Sequence, residues 1–317
     1  MAESKIPVDL FNPGQVFACL GFMELADVLL GDAEAGFDWS DSEQTQFCLT
    51  VAGDDKPVDT VLEFLANASI VPVTPIGYVP KMPAKSDEDD DDEDGDEADA
   101  ESDVALSEIF PAKEGDTTAL PVRLLVPEKP AIEVSHWADG SSRNTFKLYS
   151  GNRSAEKVAR AMLNGVRNKL TAAQKKKGHT IGVLKYKGIE QLWSEKKEEL
   201  IAEPFDVLTA VGGSFNFDPR GAWTALDAGY SPNTQKHGVM ASPLVHLLAA
   251  CGLEHTRPVE SGVRQVRYAI WKGLLPPALA RVAFQGGIPS LPMRHFYFEL
   301  ALSGKNKVVT FAQQENI

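Results

Sequence analysis

Cysteine is scarce in this chain: Cys19, Cys48 and Cys251 are three, an odd number, with no C-x-x-C spacing. A disulfide framework is therefore not expected, and three buried thiols in a reducing compartment are. The common catalytic and nucleotide signatures are missing too. There is no G-x-x-x-x-G-K-[ST], no G-x-G-x-x-G, no H-E-x-x-H and no G-x-S-x-G. The six histidines never stand at metal-ligand spacing with Cys or Asp, so neither a metal nor another cofactor is expected. The most apolar run, Val16 to Leu30, is interrupted by Glu24 and Asp27 and reads as too short to span a bilayer. The opening MAESKIPVDL lacks a signal-peptide layout, so a cytoplasmic protein without membrane partners is expected.

What the chain does have is charge, unevenly spread. Asp87 to Asp103 holds 13 carboxylates and no Lys or Arg. Of the formal charge of −14, that tract carries −13, so the rest of the chain is near neutral at −1. Residues 85–103 read as a disordered acidic insert, because such a sequence has no apolar side chains to repay its ordering entropy. It is either a solvated loop or a nucleic-acid mimic that shields a basic region. Basic residues dominate between Arg143 and Lys197, a regional asymmetry that points to nucleic acid although the overall pI is near 4.9.

The stretch Gly212 to Gly238 has the most explicit local grammar. Phe215 and Phe217 are two apart, on one face of an extended segment. Asp218 and Pro219 stand as N-cap and first helical residue of a short helix, Arg220 to Ala228, closed by Gly229. Gln235, Lys236 and His237 lie on the loop beyond the Tyr230–Asn233 turn. A packed corner and a surface touching phosphate or bases both fit.

Around it the pattern predicts an α+β chain with a mixed or mostly antiparallel sheet and several amphipathic helices. Asn12 and Pro13 open a helix to Leu30 that closes at Gly31, and Gly21 in its middle implies a close backbone neighbour. Strands are expected at Phe37–Trp39, Gln46–Val51, Val122–Val126, Ile132–His136, Phe146–Tyr149, Ile181–Tyr186 and Val263–Trp271. Val58–Ala68 reads as a helix and Ile70–Val79 as an edge strand or extended loop. Further helices are expected from Ser154 to about Leu170, from Gly188 to Leu200 and from Ser242 to Gly252. Pro276-Pro277 reads as a break, and His295–Leu302 with Lys307–Ala312 as a hairpin. Residues 1–84 and 104–317 are expected to form one body, since neither holds a complete sheet by itself.

Two sets of residues are candidates for nucleic-acid contact. Lys157, Arg160 and Arg167 on the expected helix, with the Lys175, Lys176 and Lys177 tip, would follow a phosphate backbone. Arg220, Asn233, Gln235 and Lys236 include the side-chain types that read base edges. One further residue and one pair have bland readings beside them. His246 reads as a satisfied core histidine, and Cys251 with His255 is a weak signal for nucleophilic catalysis.

Three blocks also resemble a known family. They are Ile6 to Phe22 (IPVDLFNPGQVFACLGF), Phe215 to Asn233 (FNFDPRGAWTALDAGYSPN) and Ala241 to Glu254 (ASPLVHLLAACGLE). The chain resembles a small, large-subunit-like family encoded with type I-U (I-G) CRISPR systems. The resemblance implies a non-catalytic subunit of an RNA-guided surveillance complex in antiviral defence. Its partners would be guide RNA, target DNA, the other subunits and a separate helicase–nuclease. It implies no particular site residue. A protein-only scaffold of the same system, or an enzyme of unrecognised type, are the alternatives.

Overall fold

The computed structural model describes residues 1–41, 43–73, 121–136, 146, 148, 155–178, 180–211, 214–221, 240–303 and 306–315. The expected acidic insert lies outside the described residues. The architecture is α+β, and all strand pairs among the described residues are antiparallel.

The helices α1 (Pro13–Leu30) and α6 (Pro243–His255) form the centre. Both start alike. The Asn12 side chain accepts from the Gln15 N–H and Ser242 accepts from Val245, each followed by proline at the first helical position. Such a cap is worth about 1 kcal/mol. Neither helix is amphipathic in the ordinary sense: α1 is buried from Pro13 through Ala26 and α6 from Pro243 through Leu253. At 18 residues α1 is long and apolar enough to span a bilayer, contrary to the length argument above, but here most of it is packed inside the protein. The close neighbour expected at Gly21 is Leu248 of α6: a Cβ added at Gly21 would lie 2.1 Å from the Leu248 carbonyl oxygen. Glu24, expected as a polar break, is buried and accepts two hydrogen bonds from Arg281, at 2.8 and 2.6 Å.

Sheets pack around this pair. Strands β1 (Ala2–Pro7), β2 (Glu34–Asp38) and β3 (Gln46–Val51) form one, with β3 in the middle. The helix α2 (Pro57–Asn67) turns Val61, Leu62, Phe64 and Leu65 inward as expected. It leads into β4 (Ser69–Pro72), the edge of a sheet with β5 (Val122–Leu125) and β6 (Ile132–Val134). Strands β9 (Thr209–Ala210) and β10 (Met240–Ala241) form a short pair, and the C-terminal sheet runs β11 (Val259–Gly262), β12 (Gln265–Trp271), β13 (Met293–Ser303), β14 (Asn306–Val309), with β15 (Gln313–Glu315) also on β13. Ala35 and Leu275 exchange two backbone hydrogen bonds of 2.9 Å, and the Trp271 indole donates to the Ala35 carbonyl at 3.0 Å, tying the first and last sheets together. One hydrophobic cluster extends from Ile6 to Ala312.

Four sequence expectations are corrected. The helix expected from Ser154 to Leu170 is α3 (Ala155–Asn164) and stops there. Gly165 takes φ +72°, which ends the helix, and Val166–Arg167 becomes strand β7. Pro276-Pro277 opens a helix instead of breaking the chain: Pro277 is the first residue of α7 (Pro277–Phe284), where a missing N–H costs nothing. Helix α6 runs three residues past Gly252 to His255. The segment 2–7, not among the expected strands, is a full strand paired along its length with β3. The strand expected at Phe146–Tyr149 lies mostly outside the described residues; Phe146 and Leu148 are buried in the core.

Candidate nucleic-acid interface

The basic region folds as a small projection. Strands β7 (Val166–Arg167) and β8 (Leu184–Tyr186) make a two-stranded ribbon, with α4 (Ala172–Lys176) between them. The chain leaves α3 at Gly165 and re-enters at Gly188, the N-cap of α5 (Ile189–Ala202). The two glycines touch at the root: a Cβ at Gly188 would lie 2.3 Å from the Gly165 nitrogen. The Asn168 N–H donates to the Val183 carbonyl at 2.8 Å and holds the ribbon closed. Gln191 Oε1 accepts from the Gly188 N–H at 2.8 Å, which sets the start of α5.

Residues 166–187 contain Arg167, Lys169, Lys175, Lys176, Lys177, Lys185 and Lys187 and no Asp or Glu. Lys175, Lys176 and Lys177 are exposed at the end of α4 and form no ion pair among the described residues. Like charges this dense repel one another, and a polyanion relieves that repulsion while releasing its own counterions. Nearer the body the cations are more occupied. Lys187 pairs with Glu195, and Lys196 with Glu199 at 2.6 Å. Lys197 sits over the Trp193 ring, 4.5 Å from its centroid, and Lys185 over Tyr186 at 5.2 Å. Tyr186 and Trp193 are thus half-buried rings that steady lysines.

The other expected phosphate contacts divide. Lys157 and Arg160 are exposed on α3. Arg160 donates to Glu156 at 2.7 Å and to the Ile70 carbonyl at 3.0 Å, which ties α3 to β4. Arg167 is not on that helix. It stands on β7, exposed, and its Nη1 donates to the Gly182 carbonyl at 3.3 Å across the ribbon.

The Gly212–Gly238 stretch forms a buried knot where it is described. Phe215 and Phe217 are both in the core, with ring centroids 6.1 Å apart. Pro219–Gly221 is a single 3₁₀ turn. The remainder of the expected helix, with Asn233, Gln235 and Lys236, lies outside the described residues. Arg220 Nε donates to both Asp218 oxygens at 3.0 and 3.1 Å, and Nη2 donates to Asp218 Oδ2 at 2.8 Å and the Phe205 carbonyl at 2.7 Å. Asp206 takes Nη1 at 3.2 Å. The Arg220 side chain is 21% exposed, and its donors are taken up by partners within the chain. Asp218 also accepts from Asn12 at 3.1 Å, joining the knot to the start of α1. Burial pushes the Asp218 carboxyl up, but the Arg220 hydrogen bonds and charge, His246 and Asn12 outweigh it and hold the carboxyl below its usual range.

The catalytic candidate does not assemble. Burial raises the Cys251 thiol well above its ordinary pKa, while His255 is exposed at the end of α6. His246 is a core residue as expected, but only half satisfied: Nδ1 accepts from the Phe217 N–H at 3.2 Å, the buried Nε2 has no hydrogen-bond partner among the described residues, and burial lowers the pKa to about 4. Among the described residues no group of His, Cys, Asp or Glu is placed to hold a metal ion. A groove of 430 Å³ beside Asp9, Phe11 and Gln15 went unnoticed in the sequence, since Glu43, Asp206 and Arg294 reach it from distant parts of the chain. It brings the carboxylates of Asp9, Glu43 and Asp206 to one groove with Arg294.

Comparison with protein-family models, curated proteins and solved structures returns no match for this chain.

Proposed function

We propose that the chain is a non-catalytic subunit of a type I CRISPR RNA-guided DNA surveillance complex, contacting the nucleic-acid backbone in antiviral defence. The observation that carries the nucleic-acid part is the ribbon of residues 166–187, basic throughout, with three exposed lysines at the end of α4 that pair with no acid among the described residues. The CRISPR part rests on the resemblance of the Ile6–Phe22, Phe215–Asn233 and Ala241–Glu254 blocks. The guide supplies sequence recognition by pairing, so this subunit needs affinity for backbone more than a base-reading surface. Arg220 fits that division, because its work is to neutralise Asp218. Discrimination of a flanking motif then falls to Asn233, Gln235 and Lys236.

Affinity purification of the tagged full chain from its own cells tests this reading. A guide RNA and the other complex subunits are expected to come with it. Partner proteins without RNA would favour the second reading, a protein-only adaptor. That reading has its own observation: α7 carries Leu279 and Val282, both exposed and three apart on one helical face. Recovery of the chain alone would remove both.

A further inference from the structure

The same ribbon carries a feature that phosphate contact leaves unused. Ile181 and Val183, on the return path into β8, are 65% and 63% exposed. Lys185 is exposed as well, while Gly182 and Leu184 between the three are half-buried. Two bare β-branched side chains thus sit within a run of seven cations that contains no acid. Whatever covers this face must be anionic and must also offer apolar contact.

A nucleic-acid duplex meets only the first demand, since its base faces are stacked away and its grooves present polar edges. A single strand meets both, because its phosphates and its unstacked base faces are open together. An anionic membrane surface also combines the two. It is the weaker fit, since interfacial binding draws on a long helical face with many large apolar side chains, and this ribbon offers two small ones.

We infer that the ribbon of residues 166–187 takes single-stranded nucleic acid, with Lys175, Lys176 and Lys177 on phosphates and Ile181 and Val183 against base faces. Contact of this kind is indifferent to sequence, because every base has an apolar face. This inference rests on the proposed nucleic-acid function and adds the strandedness of the ligand.

The test measures binding of the purified full chain to labelled oligo(dT), to a mixed-sequence hairpin duplex, and to phosphatidylcholine vesicles with and without phosphatidylserine. Ile181→Ser with Val183→Ser should weaken oligo(dT) binding about tenfold. Duplex affinity and the salt slope for both ligands should stay unchanged. Val183→Thr, which keeps the branched shape, should show a smaller loss on oligo(dT) alone and serves if the double variant folds poorly. Equal losses on duplex and single strand, or no loss on either, would overturn the inference. So would capture by phosphatidylserine vesicles that depends on Ile181 and Val183 without any preference for single strands. Changing Lys175, Lys176 and Lys177 to Ala should weaken both nucleic acids. If that holds while the apolar variant is silent, the functional reading stands and the strandedness fails. If neither variant matters, both fail.

Discussion

At the α1–α6 crossing and at the root of the basic ribbon, backbone meets backbone through glycine, but the surroundings differ in kind. Gly21 faces the Leu248 carbonyl in the middle of two helices that are buried on nearly all sides. Gly165 and Gly188 meet at the edge of the body, and beyond them the chain turns to exposed lysine. Charges follow the same division. In the core Glu24 has Arg281 and Asp218 has Arg220, each held by several hydrogen bonds. On the ribbon Lys175, Lys176 and Lys177 have no such partner among the described residues. An arginine near the core is therefore a neutralising group, and these three lysines are open to an incoming anion. Residue type alone says neither.

That contrast can be broken first at the crossing. Gly21→Ala puts a methyl group 2.1 Å from a carbonyl oxygen that belongs to a packed helix and cannot step aside. We expect a loss of about 3 kcal/mol or more in urea denaturation, at the upper end for overpacking. A loss under about 1 kcal/mol would mean that the two helices are free to separate.

Next in size is Arg220→Ala, which strands the fully buried Asp218 carboxylate. Removing one partner of a buried pair typically costs about 3–5 kcal/mol, and since Arg220 is partly exposed we expect roughly 2–3. Arg220→Ala combined with Asp218→Asn should recover part of that loss in the same denaturation experiment. A stable Arg220→Ala protein with altered target preference would instead return Arg220 to the recognition surface.

Acid should act on the core through its buried histidines. Burial lowers His246 to about 4, and burial with the Arg257 charge lowers His136 to about 3, both from 6.5. Folded, both stay neutral, while in the unfolded chain they take up protons near 6.5. Stability therefore declines as pH falls through that value and keeps declining until the folded groups protonate. The slope is about 1.4 kcal/mol per pH unit for each histidine. Asp218 acts lower down: its depressed carboxyl stabilises fully above 3.8 and loses that contribution as pH falls through the folded value. Urea midpoints between pH 7.5 and 4.5 would check this, and His246→Gln should remove one histidine's share of the slope. A midpoint that stays flat across that range would place both imidazoles in contact with water.

The smallest effect on stability belongs to the ribbon. Lys175, Lys176 and Lys177 changed together to Ala should move stability by less than about 0.5 kcal/mol per residue. The salt slope of duplex binding should drop by up to about 0.9 for each phosphate that is no longer neutralised. A large fall in melting temperature would show that the tip packs on the body.

Much of the helical core was legible because its signals are local. Asn12-Pro13 and Gly31 marked both ends of α1, and Ser242-Pro243 marked the start of α6. Gly21 announced a close neighbour, since glycine in mid-helix needs a reason; which backbone it meets was not written there, because Leu248 is remote in sequence. The end of α3 was missed for a related reason. Val166 and Leu170 continue the apolar spacing of Val158 and Met162, and that spacing outvoted Asn164-Gly165. The structure follows the glycine, whose positive φ lets the chain turn back toward Gly188.

By itself the sequence determined the α+β class, the caps, the C-terminal hairpin and the clustering of positive charge, all of which depend on neighbours a few residues apart. Tertiary structure decided which charges are spent and which are available. Arg220 is silenced by Asp218 two residues away and by Phe205 and Asp206 on another segment, and burial makes that pairing compulsory. Arg167 leaves its expected helix for a strand. Lys175, Lys176 and Lys177 stay available because they stand exposed in a stretch, 166–187, that has no Asp or Glu of its own. A side chain's partners are set by three-dimensional proximity and by the cost of leaving a charge unpaired out of water, and neither is a property of its place in the chain.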